Sequence, residues 1–221
     1  MTALKHTIRP AVVSMIVLTL ALGIIYPLLI TGIGQLAFPG NSNGQQIHLS
    51  GKLIGSKLIG QQFTDLVYKN GKVEMSDGEP VTKPDPRYFQ SRPSGTVPAY
   101  NAAASTFANL GPNDLATKQA IQANVKTYLQ LNKPYDPGLT VSKVPVDAAD
   151  TSASGLDPDI SQANAWIQAH RIAAVRHIPL STVMSLISKY TGGRGLGFSG
   201  EPTVNVLELN LALNRIAKGT K

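Results

Sequence analysis

The dominant pattern along the chain is one long apolar run near its start. No Lys, Arg, Asp or Glu occurs from Pro10 to Ile47, and Ala11 to Ile33 reads AVVSMIVLTLALGIIYPLLITGI. A bilayer core of about 30 Å needs roughly 20 apolar residues in helical form. In hydrocarbon, only a ladder within the segment satisfies the backbone N–H and C=O groups. Residues 11–33 are therefore predicted as a transmembrane helix. A cleaved signal peptide is the alternative, with Lys5, His6 and Arg9 as its basic start and Ala21-Leu22-Gly23 as its cleavage site. Signal cores stop after ~7–15 residues, whereas this one continues through Ile24, Ile25, Leu28, Leu29 and Ile30.

Beyond the run the periods shorten. Residues 34–50, with PGNSNGQQ after Phe38, read as a linker rich in turn formers. The near-duplicate GKLIGSKLIGQQF, Gly51 to Phe63, alternates apolar pairs with Gly and Lys and predicts short strands with tight turns. Residues 66–84 turn to Lys, Asp, Glu, Gly and Pro, the composition of a surface insertion. DPRYFQSRPS (Asp85 to Ser94) and YNAAASTFANLGPND (Tyr100 to Asp114) read as ordered, irregular loops.

Helical spacing then takes over. Asn113 or Asp114 caps a helix over Leu115–Leu131, with Leu115, Ile121, Val125, Tyr128 and Leu129 as its apolar stripe. Val144 to Ser161 combines a short strand with an acidic turn. Ser161 then caps a helix over Gln162–His177, broken by Pro179. A helix over Thr182–Thr191 takes Ser181 as cap and Gly192 as stop, followed by the loop GGRGLGFSGEP. The tail from Thr203 alternates leucines like a strand, but Pro202 at its mouth and its Leu, Ala and Glu content favour a helix. The expected class is α+β: one N-terminal transmembrane helix, then a single soluble extracytoplasmic domain, residues 51–221, of about four helices with short strands and long ordered loops.

Charge sets the expected orientation. Lys5 and Arg9 precede the span and no charge follows it until Lys52, so the positive-inside rule places residues 1–10 in the cytoplasm and exports the domain. Downstream of Arg9 the chain holds 18 basic and 13 acidic residues with no basic run or interleaved aromatics, which gives no nucleic-acid footprint. There is no Cys, so the domain stands without disulfides.

Within the anchor, Thr19, Gly23, Pro27 and Thr31 recur every four residues and predict a face for close packing against another membrane helix. Pro27 removes a hydrogen bond to Gly23, so a kink is expected there. Candidate chemistry is sparse elsewhere. Asp147, Asp150, Asp157 and Asp159 have the oxygen ligands of a cation site but no EF-hand spacing. His170 and His177 lack a third zinc ligand. No Walker loop or G-x-S-x-G elbow occurs. No catalytic residue and no metal site is assigned.

Six ordered motifs make a more specific pattern: YPLLITGIGQLAFP, GSKLIGQ, DPRYFQSRPS, YNAAASTFANLGP, SASGLDPDIS and GFSGEPTVNVLELNLALN. Together they resemble the KdpC family, the C subunit of the bacterial Kdp potassium-transporting P-type ATPase, from Arg9 to Asn214. The resemblance implies a subunit without a catalytic cycle of its own. Its implied partners are a potassium-channel-like subunit, a P-type ATPase catalytic subunit and a small single-helix subunit in the bacterial inner membrane, with ATP and potassium handled by the complex. It also implies a catalytic chaperone that raises the pump subunit's ATP affinity, with a signature-like nucleotide-binding stretch at Ser152, Ala153, Ser154, Gly155, Leu156 and Asp157. Against that, an exported domain does not meet cytosolic ATP, and SASGLD lacks the Gly-Gly-Gln of the transporter signature. Family members pass almost directly from the GQ-x-F-T-D region to D-P-x-Y-F, so residues 66–84 are expected as an insertion. The alternative function is a free-standing envelope binding module or sensor, holding a ligand between the loops around Tyr100 and Gly195.

Overall fold

A computed structural model describes residues 2–76, 78–105, 111, 113–195 and 197–219. Parts of two motif loops, residues 106–110, 112 and 196, lie outside the described residues. The chain divides into two compact units, Met1–Ile54 and Gly55–Lys221.

The first unit is built on the apolar run. Helix α1 (Thr2–Leu20) passes through a π turn (Ala21–Ile25) into α2 (Tyr26–Ala37), followed by the single turn α3 (Pro39–Ser42). The apolar portion, Thr7–Ala37, is 31 residues long, with no part of its most apolar stretch buried. At about 1.5 Å per residue it is roughly 46 Å long, more than a hydrocarbon core requires. Pro27 sits in the first turn of α2, and Tyr26 N–H donates to Ala21 O, five residues back. The disturbance expected at the proline thus takes the form of a widened turn just before it. Strands β1 (Gln46–Leu49) and β2 (Lys52–Ser56) pair across Ser50-Gly51, both at positive φ, as a two-residue hairpin turn demands.

In the second unit, residues 64–84 form a three-armed knot of short strands. Strand β3 (Thr64–Leu66) pairs with β8 (Thr82–Pro84), β4 (Tyr68–Lys69) with β5 (Lys72–Val73), and β6 (Met75–Ser76) with β7 (Glu79–Pro80). At the centre Val67, Glu74 and Val81, seven residues apart, close a ring. Val67 N–H donates to Val81 O at 2.9 Å, Val81 N–H to Glu74 O at 2.8 Å and Glu74 N–H to Val67 O at 2.8 Å. The polar segment expected as a surface insertion is ordered by backbone pairing, with Asn70-Gly71 turning one arm at positive φ.

Helices α4 (Leu115–Asn132), α6 (Gln162–Arg176), α7 (Leu180–Tyr190) and α8 (Val206–Gly219), with the turn α5 (Val146–Ala149), make the helical layer. Asp114 accepts from Ala116 and Thr117 N–H, and Ser161 from Asn164 N–H, so both predicted caps form. Helix α7 starts earlier than expected. Ser181 lies inside it and Pro179 (φ −58°) holds the cap position, because the proline ring presets the first turn. The tail first adds a three-residue strand, β10 (Thr203–Asn205), antiparallel to β9 (Asp159–Ser161), and then becomes helical. Ile160 and Val204 face each other in that register and are buried with Phe89, Ile172, Val183, Ile187, Leu209 and Leu213 in the main core.

Candidate functional site

Two loops that are distant in the sequence close on each other beside this core. The stretch Ser152–Asp157 is gripped by the segment from Arg92 to Tyr100. Ser94 Oγ donates to Gly155 O at 2.7 Å and itself receives Tyr100 N–H at 2.9 Å. Arg92 pairs with Asp157 at 3.1 Å and also donates to the carbonyls of Thr151 and Asp150. The Tyr100 hydroxyl donates to Arg92 O, and burial pushes its phenol up to about 12, so it stays neutral. Gly60 N–H donates to Leu156 O at 2.8 Å.

The glycine of the stretch is constrained from both sides. Gly155 has φ +71°, and a Cβ there would stand 3.0 Å from Gly95 N. Within the stretch, Ser152 Oγ receives Asp157 N–H and Ser154 Oγ receives Leu156 N–H, while Ser105 Oγ donates to Ser154 O. The side chains of Ser152, Ser154 and Asp157 are thus spent on the loop's own backbone and on Arg92; Ala153 and Leu156 add no polar group.

The other acidic candidates are similarly occupied. Asp147 accepts from Ser161 N–H, Ser161 Oγ and Asn164 Nδ2. Asp150 accepts from Thr151 N–H, and Asp159 from Thr203 Oγ1 and Asn205 Nδ2. Among the described residues no group of three His, Asp or Glu is placed to hold a metal ion. His177 ends α6 in the left-handed conformation, φ 55°.

In the anchor, Thr19 lies in α1, Gly23 in the π turn, and Pro27 and Thr31 in α2, all exposed within this chain. A Cβ on Gly23 would touch only Thr19 Cγ2, at 3.9 Å, so the chain itself leaves room for a larger residue there.

The chain matches the family model described as K+-transporting ATPase, c chain, over residues 8–215. It is 46% identical to the potassium-transporting ATPase KdpC subunit of Methylococcus capsulatus over 209 residues, covering 94% of this chain and 97% of that one. The KdpC subunit of Herminiimonas arsenicoxydans is 43% identical over 96% of this chain and 99% of its own length, and that of Mycobacterium bovis 42% over 96% and 100%. The chain belongs to the KdpC family.

What the motif reading missed in this KdpC chain is a buried polar line along α6. Gln168 exchanges two hydrogen bonds with the backbone of Gln90, receiving Gln90 N–H and donating to Gln90 O. It also donates to Asn164 Oδ1, which in turn receives the Tyr128 hydroxyl at 2.9 Å. Arg171, fully buried, donates to Gln168, Asn132 and the carbonyls of Pro86 and Tyr88. Burial lowers the Arg171 guanidinium to about 10, still charged at neutral pH. Asp85, at the head of the same motif, titrates below the usual carboxylate range; burial raises it, but the bonds from Arg87 outweigh that. The signal was present in the sequence: Asn164, Gln168 and Arg171 stand four and three apart on one face of an otherwise alanine-rich helix.

Above this line lies a hollow of about 280 Å3, lined by Gln61, Ser91, Tyr100, Asn124, Thr127 and Tyr128 among others. Gly195 does not line it, so the loops around Tyr100 and Gly195 do not share this hollow.

Proposed function

We propose that this chain is a non-catalytic accessory subunit of a high-affinity, ATP-driven potassium uptake complex, a translocase whose chemistry resides in other subunits. The observation that carries the reading is the family match across nearly the whole chain, anchor included. Residues 11–33 hold it in the bacterial inner membrane as a single span. Residues 1–10 are cytoplasmic, 34–50 a linker, and the domain from residue 51, with its 66–84 insertion, extracytoplasmic. Lys5 and Arg9 ahead of the span support that orientation.

Its partners are a potassium-channel-like subunit, a P-type ATPase catalytic subunit and a small single-helix subunit, met in the membrane through the face of Thr19, Gly23, Pro27 and Thr31. Its contribution is assembly and stability of the complex. Any rise in the pump's ATP affinity passes through subunit contact rather than through nucleotide held at Ser152–Asp157. The closed hydrogen bonding of that stretch supports this division.

The test is a pull-down of tagged chain from detergent-solubilised membranes of potassium-starved cells, with mass spectrometry and an ATPase assay. Copurified channel-like and P-type subunits with potassium-stimulated hydrolysis are the expected result; a lone chain overturns the reading. The hollow beside Tyr100 favours the second reading, an envelope binding module, which a ligand-dependent rise in melting temperature of the lone chain would establish.

A further inference from the structure

Helix α4 uses only part of its apolar stripe to hold the fold. Tyr128 is buried and Leu129 packs beside it in a small second cluster. Further along the stripe, Ile121 and Val125 are only half-buried. With Leu129, Pro134 and Val141 they floor an open hollow of about 800 Å3, and Val141 is 66% exposed. A second hollow of about 370 Å3 shares Ile121 and Gln122 with the first and is otherwise lined by the polar residues Asn113, Asp114, Thr117 and Lys118, so the apolar floor is confined to the larger hollow. Partly exposed apolar side chains gathered on one face and rimmed by polar residues suit a docking surface.

The charges lining the larger hollow, Lys126 and Lys133, are basic, while the smaller one is lined by Lys118 and by Asp114. Among the described residues none of the three lysines makes an ion pair. Of the nearby carboxylates, Asp114 is engaged in capping α4 and Asp136 accepts from Gly138 N–H. Lys143 is turned to Gly138 O. An apolar trough with cationic rims fits an anionic amphiphile, and the covalent membrane anchor keeps such molecules at high effective concentration around the domain.

We propose that the α4 trough binds an anionic phospholipid, its acyl chain along Ile121, Val125 and Leu129 and its phosphate between Lys126 and Lys133. The site is built from this chain's own residues and lies apart from the Arg92–Asp157 clamp.

Because the chain has no Cys, one probe position can be introduced at will. The full chain carrying Q122C, labelled with a polarity-sensitive fluorophore, is placed in nanodiscs of phosphatidylcholine alone or with phosphatidylglycerol, each in turn carrying a doxyl quencher. A label at Asn70→Cys, at the tip of a hairpin arm, reports non-specific approach. Emission from the Gln122 position is expected to shift blue and to be quenched by doxyl-phosphatidylglycerol in preference to doxyl-phosphatidylcholine, with the Asn70 position indifferent. The double variant K126Q/K133Q, both exposed positions, is expected to lose about thirtyfold in that preference, the value for two lysines at an anionic surface. Raised salt should weaken it in the same direction. Equal quenching by the two lipids overturns the proposal, as does shielding of the label only when copurified subunits are present, which would assign the trough to a protein helix.

Discussion

At the scale of single residues the molecule is decided by where polar groups are spent. Ser152, Ser154 and Asp157 have the residue types of a ligand loop, yet each closes a turn or meets Arg92. Gly155 is the tightest position, with a left-handed φ of +71° and Gly95 backbone 3.0 Å from where a Cβ would stand. Gly155→Ala is therefore expected to lower unfolding stability by about 1–3 kcal/mol, from strained φ and forced separation of the two loops. Denaturant unfolding of the purified chain followed by circular dichroism measures it. A loss below a few tenths would show that the loops are not locked here. Buried Arg171 was legible only through its spacing from Asn164 and Gln168 on one face of α6; its other acceptors, Asn132 and the carbonyls of Pro86 and Tyr88, come from distant elements that no local pattern announces.

At the scale of elements, legibility followed local chemistry. The caps Asp114 and Ser161 were readable because a short side chain satisfying N–H groups two or three residues on is a local event. The three-armed knot at residues 64–84 was readable only in part: Asn70-Gly71 is a hairpin turn signal, but the ring closed by the backbones of Val67, Glu74 and Val81 carries no side-chain pattern. The tail split into strand and helix because β10 finds a partner in β9, a contact 42 residues away between Thr203 and Ser161. In the anchor, the proline was readable and the π turn was not, because the freed carbonyl can be accommodated in several ways. That turn places Gly23 where an added Cβ meets nothing but Thr19 within the chain. Gly23→Leu is thus expected to leave the chain folded and inserted while cutting copurification with its membrane partners severalfold, since close backbone approach between helices is lost. Quantitative mass spectrometry of the pull-down reads it, and undiminished recovery would remove this face from the assembly.

At the scale of the whole molecule, orientation decides which chemistry is open to the domain. The anchor helix is long enough to span, at 31 residues; the Lys and Arg residues ahead of its 11–33 apolar run are Lys5 and Arg9, and the next charge after that run is Lys52. Basic residues are retained on the cytoplasmic side during insertion, so the domain is expected outside. The absence of Cys allows a direct reading. Ser142→Cys, exposed on the turn after α4, is expected to react with a membrane-impermeant maleimide in intact spheroplasts, and Thr2→Cys only after the membrane is opened. The opposite pattern would put Ser152–Asp157 in the compartment that holds ATP and would reopen direct nucleotide contact. With the expected pattern, an influence of this chain on ATP use must cross the membrane as a coupling between subunits. The anchor helix is the part of this chain that crosses to the ATP side, so if it carries the coupling Gly23→Leu should alter the complex's apparent ATP affinity and its assembly together.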